Sequence, residues 1–125
     1  MSASANAQSA YGFLARTVKT ARDIEYDLMA AITGRLRAAQ SDAGPAAFPA
    51  LVAAMHDNRR LWSAFAMDLA DSGNGFPDEL RARLFYLAEF VTRHTDKALA
   101  GSAPADILID INLAVMRGLR GTGVQ

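Results

Sequence analysis

Cysteine is absent from the 125 residues, which removes disulfide frameworks, thiolate metal sites and cysteine nucleophiles at once. A reducing compartment agrees with that absence but is not required by it. An excess of either charge is also missing: 13 basic and 13 acidic residues leave a formal net charge of zero. Proteins that hold nucleic acid take much of their affinity from phosphate contacts and usually show a basic surplus, so the balance argues against direct nucleic-acid binding. No apolar run approaches the ~20 residues that span a bilayer, and no direct membrane contact is expected. Residues 1–9 are small and polar, without the charged start and apolar stretch of a secretory signal, so the expected location is the cytoplasm.

Chemistry-bearing constellations are scarce as well. The two histidines, His56 and His94, fall on different expected helices, and neither has an acid or a second histidine at ligand spacing. Gly73-Asn74-Gly75 reads as a turn rather than a phosphate-binding loop. Asp23, Glu25 and Asp27 spread around a helix, as a solvated face does. The expectation is a protein that is not an enzyme and needs no cofactor or metal.

What the chain has is helix. Hydrophobic residues make up 51%, with only four prolines and nine glycines, most of them where helices should stop. Residues 1–9 read as a flexible tail. Tyr11, Leu14 and Val18 then have helical spacing. Thr20 with Asp23 approaches a capping box and opens a helix over about residues 21–40, with Ile24, Leu28, Ile32 and Leu36 every fourth residue. From near Pro49, Leu51, Met55, Asn58, Trp62, Phe65 and Leu69 form one seam that stops before Ser72. Pro77-Asp78-Glu79 opens a segment whose core face is Leu80, Leu84, Leu87, Val91 and Ala98, ending at Gly101. Pro104 and Asp106 open the last helix, with the stripe Leu108, Ile111, Val115 and Leu119 closed by Gly118 and Gly121. No period-two alternation survives, so no strand is assigned. The fold expected is all-α: a small antiparallel bundle of four to five helices, one domain over residues 10–120, with a flexible tail at 121–125.

Three features exceed the periodicity. Asn58 and Asn112 lie in otherwise apolar stripes, where a polar group must find hydrogen-bond partners. They either pair to fix helix register or cap a partner's backbone in a groove. Tyr86 and Phe90 point away from the inner face of their helix, with Phe85 on its flank, so the N-terminal helix or a partner protein should cover them. Tyr26, with Arg22 and Met29 beside it, has interface composition. Arginines recur in pairs (Arg35/Arg37, Arg59/Arg60, Arg81/Arg83, Arg117/Arg120). Glu79 four before Arg83 and Glu89 four before Arg93 favour helix-surface ion pairs.

Four strings carry a resemblance. Arg22-Asp23-Ile24-Glu25-Tyr26, Asn58-Arg59-Arg60-Leu61-Trp62, Phe90-Val91-Thr92-Arg93-His94-Thr95 and Leu108-Ile109-Asp110-Ile111-Asn112 resemble, in order and spacing, the signature segments of FlaF, a small flagellar biosynthesis protein of alphaproteobacteria. The likeness runs from Tyr11 to Leu119. It implies a protein that acts with a second regulator, FlbT, to couple flagellin synthesis to flagellum assembly, by engaging flagellin as a cytoplasmic chaperone or adaptor. The alternative it leaves open is post-transcriptional regulation of flagellin mRNA together with FlbT. The family's recurrent residues correspond to Tyr26, Asn58, Arg59, Trp62, Asp110 and Asn112. Of these, Asn58, Trp62, Asp110 and Asn112 are expected to hold the fold. Tyr26 and Arg59, with Met29, Tyr86 and Phe90, are the expected docking residues for an amphipathic flagellin helix.

Overall fold

The computed structural model describes residues 25–71, 73 and 75–124, with side chains to residue 119. The expected Tyr11–Val18 helix, the Thr20 cap and Ile24 lie outside that range. Within it the chain forms four helices and no strand: α1 over residues 25–41, α2 Ala47–Ala70, α3 Asp78–Leu99 and α4 Asp106–Val124. The all-α expectation holds.

Each boundary has a local cause. Asp42 accepts the Gly44 amide through Oδ1 at 2.8 Å, turning the chain after α1. Pro49 sits in the first turn of α2, where an amide has no acceptor within the helix. Asp78 and Glu79 place negative charge in the first turn of α3, where the helix dipole favours it. At the other end of α3, Ser102 N–H donates to the Lys97 carbonyl at 2.9 Å and Gly101 N–H to the Ala98 carbonyl at 3.1 Å. That is a Schellman cap, and its C′ position needs the φ of +80° that Gly101 adopts. In contrast, α4 does not stop at Gly118 and Gly121 but continues to Val124. A glycine inside a helix costs only about 1 kcal/mol, too little to end one alone.

Cross-helix pairs fix the topology. Arg35 meets Asp57 at 2.8 Å across α1 and α2, and Arg59 meets Asp96 across α2 and α3. Gln40 donates to Asp106 at 2.6 Å between α1 and α4, while His94 Nε2 donates to the Pro104 carbonyl at 2.8 Å. Each helix is therefore antiparallel to the next, and α4 closes back on α1 in an up-and-down bundle.

The core confirms the α2 seam: Met55, Asn58, Trp62, Phe65 and Leu69 are buried, with Leu51 half-buried. The α1 seam needs correcting. Its buried face is Met29, Ile32, Thr33, Leu36 and Ala39, whereas Leu28 is 49% exposed. A strict four-residue step drifts about 40° around a helix each time, so Leu28 lies roughly 75° from the centre of the buried face. On α3, Ala88 and Thr95 join Leu84 and Val91 inside, and on α4 Ile109, Asn112 and Met116 join Leu108 and Val115. None of the described helices is long and apolar enough to cross a membrane.

Candidate functional site

The buried centre of the bundle holds a polar knot. The Trp62 indole can only donate, and it does so to Asn112 Oδ1 at 2.8 Å. This orients the Asn112 amide, whose Nδ2 then faces Asn58 Oδ1 at 2.8 Å and Thr33 Oγ1 at 3.1 Å. The Thr33 hydroxyl directs its own proton to the Met29 carbonyl at 2.6 Å, so towards Asn112 it accepts. Three helices are thereby joined through one amide, and the two buried asparagines are hydrogen-bonded to each other. Asn58 must present its oxygen to Asn112, so its Nδ2 is left inside. That nitrogen has no hydrogen-bond partner among the described residues. The sequence marked both asparagines and Trp62. It did not mark Thr33, a hydroxyl with no apolar pattern to violate.

The expected docking residues scatter. Met29 is 3% exposed and belongs to the core, so it is no outer wall: it lies within the buried face of α1. Tyr26 is half-buried and packs against the core. Arg59 ties α2 to α3 through Asp96, and its other Nη sits 3.2 Å from His56 Nδ1. Its guanidinium is engaged within the chain. Phe90 turns to the α4 side of α3 and stacks on His94 with ring centroids 5.5 Å apart, which separates it from Tyr86. Asp110 is exposed on α4. Tyr86 alone of the five stands well out, 65% exposed on the face of α3 opposite the core.

Sequence reasoning did not find the groove beside Tyr86. Leu69, Ala70, Asp78, Arg81, Ala82 and Phe85 line an open apolar groove of about 400 Å³ between the last turn of α2 and the first two turns of α3. Ala70 and Ala82 contribute only methyl groups to its lining. Phe85, 39% exposed, forms one wall. Arg81 braces the floor, its Nε donating to the Leu69 carbonyl at 3.1 Å. Tyr86, four residues after Ala82, and Met67, three before Ala70 and 77% exposed, are exposed on the same two helices without lining the groove.

A second, smaller gap lies on the other flank of α2, among Glu25, Met29, Leu61, Ala64, Phe65 and Leu119. Among the described residues no group of three or more histidines and carboxylates stands ready to hold a metal ion.

Among the described residues five arginine–carboxylate pairs form, two of them between helices: Arg35–Asp57, Arg59–Asp96, Arg81–Asp78, Arg83–Glu79 and Arg93–Glu89. The last two are the pairs read from their four-residue spacing. What the geometry offers is an open, largely apolar groove with Phe85 as one wall.

A family model described as flagellar protein FlaF matches residues 7–119. No curated protein and no solved structure matches the chain.

Proposed function

The chain belongs to the FlaF family of flagellar proteins, and from that premise we propose that it binds flagellin in the cytoplasm as a chaperone or adaptor, seating an amphipathic flagellin helix in the groove between α2 and α3. The observation that carries this reading is the groove itself: about 400 Å³ lined by Leu69, Ala70, Ala82 and Phe85 together with Asp78 and Arg81. Amphipathic helices dock through apolar anchors at i, i+3, i+4 and i+7, and a shallow apolar channel between two helices takes such a ridge. Flagellin held before assembly presents terminal helices whose apolar faces have no partner, so a small helical domain with an unfilled groove is a suitable cover. In this reading the protein holds and hands over its partner and performs no covalent step.

Control of flagellin mRNA together with FlbT is the competing reading. It asks for a basic surface, and the zero net charge and the five internal ion pairs weigh against that.

The groove reading is tested by Phe85→Ser with Tyr86→Ser. Both side chains are exposed enough for the fold to tolerate the change, and aromatic anchors carry a large share of interface energy. Flagellin affinity is expected to fall by roughly tenfold or more, equivalent to about 1.4 kcal/mol. Unchanged affinity in a folded double variant would remove the groove from the account.

A further inference from the structure

The outward face of α3 is complementary to its own reversal. Counted from Tyr86, the acid Glu79 lies seven residues before and the base Arg93 seven residues after. The base Arg83 lies three before and the acid Glu89 three after. Turning the helix end for end about Tyr86 therefore puts an opposite charge in the place of each of these four. All five side chains are exposed, Tyr86 at 65%.

Helix geometry decides which of them meet. Seven residues carry Glu79 and Arg93 about 10 Å along the axis from Tyr86 while turning them only about 20° to either side of it. The three form one nearly straight line down the helix. Arg83 and Glu89 stand about 60° to either side and make the flanks. When a second helix lies antiparallel across that line, centred on Tyr86, Glu79 of each copy comes level with Arg93 of the other. Helix axes that pack about 8–10 Å apart leave both side chains long enough to meet. Ala82 comes level with Phe90, a small side chain beside a half-buried ring. A parallel pairing would instead set Glu79 against Glu79 and Arg93 against Arg93. Within one chain the same charges form Glu79–Arg83 at 2.8 Å and Glu89–Arg93 at 3.5 Å, exposed four-residue pairs that add little to the monomer.

We propose that this face is a self-recognition surface, through which two copies of the chain pair along α3, antiparallel and two-fold symmetric. The Tyr86 rings meet at the centre and the two Glu79–Arg93 contacts lie outside them. One helix face on each side is a small interface, so the dimer is weak, with a Kd on the order of 100 µM. The face is not the groove: Phe85, the groove's wall, lies about 100° round the helix from Tyr86, and Ala82 is common to both. The pairing does not depend on flagellin, and its test involves none.

Sedimentation velocity of the full chain from about 10 µM to about 1 mM follows the association. The wild-type protein should pass from monomer to dimer and no further, because a two-fold contact closes on itself. Glu79→Arg alone and Arg93→Glu alone should each weaken the dimer by roughly tenfold or more, since each brings like charges level twice. Mixed in equal amounts, the two variants should pair with each other about as well as wild-type copies do. Changes inside each chain are the same before and after mixing, so only contact between copies accounts for that recovery. Adding Tyr86→Ser to both should abolish it, which separates a docked face from plain attraction between oppositely charged proteins. Native fluorescence of Trp62, the single tryptophan, reports that each variant stays folded. A wild-type protein that is monomeric throughout, a mixture that associates no better than its components, or a mixed dimer indifferent to Tyr86→Ser each overturns the proposal.

Discussion

Replacing Asn112 with leucine should destabilise the bundle severely, whereas the same replacement at Asn58 should be nearly neutral, although the two amides are hydrogen-bonded to each other. The asymmetry follows from the buried knot. Asn112 accepts from Trp62 and donates to both Asn58 and Thr33. Without it, the Trp62 N–H and the Asn58 carbonyl oxygen are stranded in a dry core, at about 1–3 kcal/mol for each buried unsatisfied group. The expected loss is therefore about 2–6 kcal/mol, a large share of the roughly 5–15 kcal/mol that holds a domain of this kind. Asn58→Leu removes one hydrogen bond, but it also removes the Nδ2 that has no partner among the described residues. Asn112 Nδ2 keeps Thr33, and leucine repeats the branched skeleton of asparagine with bulkier ends, so the effects oppose and the net change should stay within about 1 kcal/mol. Urea unfolding followed by the fluorescence of Trp62 gives both values, with equal m-values as the check that unfolding remains two-state. If Asn58→Leu costs as much as Asn112→Leu, the Asn58 amide is fully engaged and the account of the knot is wrong.

Two glycines should respond with opposite sign. Gly101 holds a φ of +80° in the cap of α3, so Gly101→Ala should cost about 1 kcal/mol in the same unfolding assay. Gly118 lies inside α4 with open space where a Cβ would stand, so Gly118→Ala should stabilise by about 0.5–1 kcal/mol. The corrected seam of α1 predicts a further contrast. Leu36→Ala, at a fully buried position, should lose about 2–5 kcal/mol, and Leu28→Ala, half-exposed, well under half of that. Equal losses at the two positions would restore the four-residue seam.

These contrasts also show what the residue pattern could reveal. The α2 seam was legible to the residue because its steps alternate between three and four and so stay on one face. The α1 seam was not, because a run of four-residue steps rotates away from its own axis and Leu28 is carried to the rim. The asparagine pair announced itself, since two polar groups in apolar stripes on separate helices have few ways to be satisfied except with each other. Thr33 and Thr95 were invisible: a short hydroxyl that donates to a carbonyl of its own helix, as both do, disturbs no pattern. Tyr86 could be placed outward from periodicity alone, but Phe90, 40° round the helix from it, was captured by His94. The groove lay beyond any single-helix reading. Its lining comes from both α2 and α3, and only the packing of the two helices brings those residues together.

The central claim is that this member of the FlaF family recognises flagellin through an apolar groove. Its most direct test is a calorimetric titration of the purified protein with monomeric flagellin at low and at high salt. The account predicts micromolar or tighter binding that persists at high salt, with a negative heat-capacity change from buried apolar surface. Absence of binding at either salt concentration, or binding that collapses as salt rises, would contradict it and turn attention to charged partners such as the flagellin message.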